Sequence, residues 1–158
     1  EPADEMVAVW LAVSDVSLEN GAMRAIPGSH TRGQLPHNAT GDASSMLRRG
    51  QRINVEVDDQ SAIEFSLRAG QASIHHPLTI HGSGGNTSNR WRYGILFNYV
   101  SANIKVKNGH VESGLLVRGR PPVNGLWLET IPDDDLSQSA LAAYADALSR
   151  SSKRYADT

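Results

Sequence analysis

The stretch from Ile74 to Arg92 limits the folds open to this chain more than any other. It holds three of the six histidines (His75, His76, His81) and two arginines (Arg90, Arg92) around the turn-forming run Gly82-Ser83-Gly84-Gly85-Asn86-Thr87-Ser88-Asn89. Such a segment reads as a strand, a Gly-rich turn and a second strand that starts near Arg92. Alternation along the first strand puts Ser73, His75, Pro77, Thr79 and His81 on one face and Ile74, His76, Leu78 and Ile80 on the other, with Pro77 interrupting the pairing. His81 closes that strand and Arg92 opens the next, eleven residues on. If the two strands are antiparallel neighbours, both side chains can face one pocket. An imidazole there offers a metal ligand, and a guanidinium offers a planar fork for a carboxylate. The ordinary reading of a His before Gly-Ser is a loop residue with its hydrogen bonds satisfied, and spacing alone does not displace it.

The rest of the chain is mainly β. Residues 6–14 form an almost continuous apolar run, as in a strand covered on both faces. Asp15 to Gly21 is a turn, strongest at Asn20-Gly21, and residues 22–27 form a short strand ended by Pro27-Gly28. Thr31 to Gly50 lacks either period. It reads as a long loop able to cover a pocket mouth, with His30 and His37 as surface residues at its start. Ile53, Val55 and Val57 share the buried face of a strand over 51–57, and Ala62 to Leu67 alternates likewise. Arg92 to Val100 is the next strand, and Arg92, Gly94 and Asn98 on one face leave room for a small polar ligand. Further strands are expected at Ile104 to Val106 and Leu115 to Val117. A C-terminal helix is expected over about 136–152, capped by Asp135 or Ser137, with Leu136, Ala140, Leu141, Tyr144, Ala147 and Leu148 as its apolar stripe.

Composition narrows the function classes. With 158 residues, one domain is expected, its core over about 5–128. The net charge of −2 and the lack of a basic run argue against nucleic acid as a partner. Cysteine is absent, which excludes disulfides, zinc–thiolate sites and thiol catalysis. No apolar run approaches the roughly 20 residues that span a bilayer, and the acidic start Glu1-Pro2-Ala3-Asp4-Glu5 is no signal peptide. A cytoplasmic enzyme acting on a small molecule is the expectation.

Two blocks then give the chain a relation. Ile80-His81-Gly82-Ser83-Gly84-Gly85-Asn86-Thr87-Ser88, with Arg92 eleven residues after His81, resembles the distal half of the site in the phytanoyl-CoA dioxygenase family. Val9-Trp10-Leu11-Ala12-Val13, Glu19-Asn20-Gly21-Ala22-Met23 and Ile26-Pro27-Gly28-Ser29-His30 are similar to that family's strand, Glu-Asn-Gly turn and Pro-Gly-Ser-His loop, in the same order. The likeness covers roughly residues 5 to 100.

The resemblance implies a double-stranded β-helix of the jelly-roll or cupin type, with iron(II) and 2-oxoglutarate. His81 would be the distal iron ligand. Arg92 would clamp the far carboxylate of 2-oxoglutarate, with Arg90 as the rival. Ser83 would reach the same carboxylate and Trp10 would line the co-substrate pocket, although a turn serine and a core tryptophan explain them as well. The expected reaction hydroxylates an unactivated C–H bond.

One departure is plain: the family holds iron with a His-x-Asp pair and a later His, and no His here is followed two residues on by Asp. His110-Val111-Glu112 has a similar form but follows His81; Glu112 and His75 are conceivable substitutes. The expectation is a distal part of a catalytic domain, incomplete at the N-terminus, with an exposed sheet edge that favours a homodimer. The alternative is a metal-free β-helix binding module that has lost the iron site. A cupin without 2-oxoglutarate would need more His ligands on early strands.

Overall fold

The computed structural model describes residues 5–41, 51–104, 112–122 and 126–156. The chain divides into two compact units, Val7–Tyr99 and the remainder. The first unit carries two three-stranded sheets. One has the order β6-β1-β8, built from β1 (Met6–Ala12), β6 (Ala72–His75) and β8 (Gly94–Val100). The other has the order β5-β2-β7, built from β2 (Met23–Ala25), β5 (Ile63–Glu64) and β7 (His81–Ser83). A small antiparallel pair, β3 (His37–Ala39) with β4 (Gln51–Ile53), stands beside them.

Side-chain size explains how closely these strands meet. On β1, Ala8 and Ala12 are buried and share a face with Trp10. The register Ala8↔His75 and Trp10↔Ser73 puts His75 and Ser73 on that same face. Ala12, Val16 and Ala22 form the densest part of the core, with Trp10 and Leu67 against them. Beyond β1, Val13 and Ser14 donate their N–H groups to the Tyr93 carbonyl (3.0 and 3.3 Å), and the Ser14 hydroxyl accepts from the Tyr93 N–H (2.9 Å). These bonds fix the approach to β8 beside the end of β1.

Several expected elements come out differently. The strand over 72–80 stops at His75. Pro77 has no N–H to give a ladder, and the chain instead turns, with the Thr79 N–H donating to the His76 carbonyl (3.0 Å). The segment 31–50 contains β3 and so is not a featureless loop; residues 42–50 lie outside the described residues. Its partner β4 covers only Gln51–Ile53, shorter than the expected 51–57, because β3 offers three residues to pair with. The room expected over Gly94 is filled: a Cβ there would come within 2.0 Å of Trp10 Cζ2 and 2.5 Å of Cε2.

In the second unit, β9 (Glu112–Gly114) pairs in parallel with β10 (Leu126–Leu128), and α1 (Gln138–Ala156) packs against β9. The expected strand at Leu115 to Val117 is absent, and of that at Ile104 to Val106 only the buried Ile104 lies within the described residues. Leu136 has a φ of 54°, which keeps it out of the helix, and the Ser137 hydroxyl caps α1 by accepting the Ala140 N–H (3.2 Å). The face that is half-buried carries Ala140, Ala143, Ala147 and Arg150. Leu141, Tyr144 and Leu148 are exposed, so the expected apolar stripe is not the packed one. Arg150 lies over the Trp127 ring (4.4 Å) and pairs with Asp146 (3.0 Å). No helix among the described residues is long and apolar enough to cross a membrane.

The contact of Trp10 with Gly94 leads to a direct test. Gly94→Ala forces the indole or β8 to move and is expected to cost about 1–3 kcal/mol, as overpacking does. The urea midpoint measures it, and an unchanged midpoint would show that the indole moves freely.

Candidate active site

His81 opens β7 and is held through its backbone on both sides. It pairs with Ala25 of β2. The peptide before it is fixed by Ile26, whose N–H donates to the Ile80 carbonyl (2.9 Å), and by Ser29, whose hydroxyl accepts the Ile80 N–H (2.8 Å). Ser29 is only 5% exposed, and its own proton goes to the Ile26 carbonyl (2.7 Å). The hydroxyl thus uses one donor and one acceptor to close the Pro27-Gly28-Ser29-His30 loop onto the residue before His81. The ring is held as well. Its Nδ1 lies 2.7 Å from the Thr79 carbonyl, which can only accept, so Nδ1 carries the proton and Nε2 presents a lone pair. A histidine that ligates a metal is usually oriented in this way.

The two sequence blocks meet at the Glu19-Asn20-Gly21 turn. Asn20, 1% exposed, accepts the Ser17 N–H (2.8 Å) and donates to the Asp15 carbonyl (2.9 Å). This locks the turn and aims the Glu19 carbonyl at the far block, where it accepts the N–H groups of Thr87 (2.8 Å) and Ser88 (3.1 Å). Gly21 has a φ of 86°, and a Cβ on it would come within 2.9 Å of the Gly84 carbonyl. Only glycine fits there. Asn86 shapes its own turn, accepting from the Ser88 N–H (2.9 Å) and donating to the Arg90 carbonyl (2.7 Å).

Arg92 and Trp10 are brought together, with the guanidinium carbon 5.4 Å from the indole centroid. At that distance the cation lies over the negative face of the ring. Arg90 turns away and faces Glu19 at the surface (3.5 Å). Ser83 is two residues from His81 on β7 and therefore on its face, opposite Met23. His76 accepts the Leu78 N–H at Nδ1 (3.1 Å), and His30 lies beside it with ring centroids 5.2 Å apart. Glu112 lies in the other unit; His110 and Val111 fall outside the described residues.

A recess of about 190 Å³ borders His81, with Leu35, His37, Ile53, Pro77, Leu78 and Ile80 among its walls. The β3–β4 pair supplies one side of it. A larger cleft of about 420 Å³ lies over Glu19 and residues 87–90, among the turn groups already bonded to one another. His75 stands next to His81, with ring centroids 5.2 Å apart. Burial first, and the neighbouring His81 second, hold its imidazole below the usual histidine range.

Among the described residues no three His, Cys, Asp or Glu side chains converge as a metal site. His81, with its tautomer fixed, fits the role of one imidazole ligand to iron.

A sequence profile described as phytanoyl-CoA dioxygenase (PhyH) matches residues 1–94. The chain belongs to the phytanoyl-CoA dioxygenase family. Human peroxisomal phytanoyl-CoA dioxygenase is 28% identical over 102 residues, which cover 65% of this chain and 30% of the human protein. The non-heme monooxygenase ThoJ, in its apo form, superimposes with a TM-score of 0.83 at 34% identity, over 96% of this chain and 54% of ThoJ. A Micromonospora carbonacea var. aurantiaca protein in complex with 2-oxoglutarate gives a TM-score of 0.54 at 28% identity, over 65% of this chain and 41% of its own. The chain thus spans about half of ThoJ and less than a third of the human enzyme. The fold is the double-stranded β-helix of phytanoyl-CoA dioxygenases, with a C-terminal helix. Iron(II) and 2-oxoglutarate are the cofactor and co-substrate of this family of dioxygenases.

His81, Ser83, Arg92 and Trp10 are the candidates that the sequence offered; the part played by Ser29 it did not show. Its partner Ile80 lies 51 residues away, beyond any local pattern. Ser29→Ala strands a buried N–H, and a stability loss of about 1–3 kcal/mol is expected, measured by urea unfolding. A neutral result would mean that another group satisfies Ile80.

His75 also gives stability a pH dependence. The unfolded chain takes up a proton near about pH 6.5 that the folded chain accepts only at lower pH. Its contribution is therefore complete above that pH and is lost as the pH falls below it. The urea midpoint of the metal-free protein should drop between about pH 7.5 and 5.5, and drop less in His75→Phe. Equal slopes would assign the dependence to other groups.

Proposed function

We propose that this chain carries the distal half of the catalytic site of an iron(II)- and 2-oxoglutarate-dependent dioxygenase that hydroxylates an unactivated C–H bond of a small organic substrate. The observation that carries this reading is the Thr79 carbonyl on His81 Nδ1, which leaves the Nε2 lone pair available on a residue that borders a recess of mixed polar and apolar lining. The bound iron, with 2-oxoglutarate and dioxygen, supplies the oxidant as 2-oxoglutarate is converted to succinate and carbon dioxide.

The chain's own residues do the holding. His81 Nε2 would hold the metal. Arg92 binds the far carboxylate of 2-oxoglutarate through two parallel charge-assisted hydrogen bonds, with the Trp10 ring 5.4 Å from its guanidinium carbon as one wall. Ser83, on the face of His81, donates its hydroxyl to the same carboxylate. The recess, with Leu35, Ile53, Pro77, Leu78 and Ile80 beside the polar Gln34, His37 and Thr79, takes a part of the substrate that carries both apolar and polar groups.

The test is 2-oxoglutarate binding by calorimetry under anaerobic conditions with iron(II), read beside the visible absorption of the metal chelate. Arg92→Ala should weaken 2-oxoglutarate by about 10- to 100-fold, the worth of a charge-assisted pair, and leave metal binding intact. His81→Ala should remove the metal dependence. Binding indifferent to both substitutions would overturn the assignment and leave the metal-free binding module.

A further inference from the structure

We infer that His37 is a substrate-binding residue of this site, and that its Nε2 accepts a hydrogen bond from a hydroxyl or amine group of the substrate. The substrate class is then a small organic molecule that carries such a donor beside an apolar segment. The inference rests on the proposed function, which makes the recess beside His81 the place of the substrate, and it adds what that recess reads.

A strand pair delivers His37 to the recess. β3 and β4 place it opposite Ile53, and directly opposed residues of an antiparallel pair share a face. Both residues line the recess that His81 borders. Just beyond the pair, the Asn54 N–H donates to the Pro36 carbonyl (3.0 Å) and carries the ladder past His37. One set of backbone bonds therefore fixes a polar ring and an apolar wall together.

The ring is oriented as well. His37 Nδ1 lies 2.8 Å from the Leu35 carbonyl, two residues upstream. A carbonyl only accepts, so the neutral ring carries its proton on Nδ1 and presents a lone pair at Nε2. His81 is held in the same way by the Thr79 carbonyl. The recess thus borders two imidazoles whose tautomers are set, and their supports differ. His81 belongs to the sheet β5-β2-β7, and the peptide before it is bonded to Ser29 and Ile26. His37 belongs to the separate pair β3-β4. With His81 assigned to the metal, and open positions on that metal needed for 2-oxoglutarate and dioxygen, the partner left for His37 is a donor on the substrate.

The other polar groups of the recess are less suited. The Thr79 carbonyl is used by His81 Nδ1, and the Thr79 N–H by the His76 carbonyl. Gln34 precedes the strand pair and belongs to no strand. Leu35, Ile53, Leu78 and Ile80 place carbon around the acceptor. An acceptor in such a setting favours a ligand with a donor, because a ligand without one displaces water from the nitrogen and returns nothing.

The experiment uses the whole chain at about pH 8, where an ordinary imidazole is neutral. Two isomeric probes are titrated and followed by amide chemical shifts: 1-pentanol, which has an O–H donor, and butyl methyl ether, which has none. The parent should favour the alcohol by about 3- to 10-fold over His37→Phe, the worth of one neutral hydrogen bond, while the two bind the ether alike. His37→Gln, whose amide oxygen accepts, should keep part of the preference. A preference that is the same in the parent and His37→Phe overturns the proposal, and so does a parent that binds neither probe. A weaker iron(II) affinity in His37→Phe, measured by anaerobic calorimetry, also overturns it, because the ring would then be a metal ligand. Failure of the oxygenase reading is distinct: the parent would take up neither iron(II) nor 2-oxoglutarate while still selecting the alcohol through His37.

Discussion

In passing from β6 to β7 the chain has to change sheets without leaving the Ile80 amide unpaired in the interior, and the Ser29 hydroxyl makes this possible. One oxygen accepts the Ile80 N–H and donates to the Ile26 carbonyl, while Ile26 returns its own N–H to Ile80. An unpaired buried amide costs about as much as several ordinary contacts supply, so the crossing and the serine go together. The placement of His81 depends on it, because that side chain can be no better fixed than the peptide before it. The Thr79 carbonyl then sets the ring itself.

A second constraint is closeness of backbones. The buried apolar residues of the Val7–Tyr99 unit are mostly small (Ala8, Ala12, Ala22, Ala25), with Val16, Met23 and Ile80 among them. Small side chains let strands approach, and glycines at two points let them touch: Gly21 under the Gly84 carbonyl, and Gly94 under the Trp10 ring. The first joins the Glu-Asn-Gly turn to the segment that follows His81. The second settles the indole, which in turn lies against Arg92. The proposed metal end of the site is thus tied to the core by a backbone contact, and the carboxylate end by the Trp10 indole seated on Gly94.

Much of this was legible in order and kind. The Asn20-Gly21 turn, the strands β1 and β8, and the helix with Ser137 as cap follow from turn chemistry and alternation, which act over a few residues; His75 and His81 come together across two sheets and not along one strand. What was misread involves partners far along the chain. Pro77 signalled a break, but not that the chain would cross to another sheet. The polar segment after Thr31 hid β3, whose pairing with β4 no local period announces. The glycine at position 94 looked like space for a ligand and is the floor under Trp10.

By itself the sequence determined the family and the β class and named the candidates proposed to bind a metal and a carboxylate, because motif spacing and strand alternation are local properties. Only the tertiary structure decided which of those residues meet. Arg92 lies on Trp10 while Arg90 turns to Glu19, and His75 comes beside His81 while Glu112 belongs to another unit. Those choices are set by backbone groups distant in sequence that must find partners in the interior, and such pairing is a property of the folded chain as a whole.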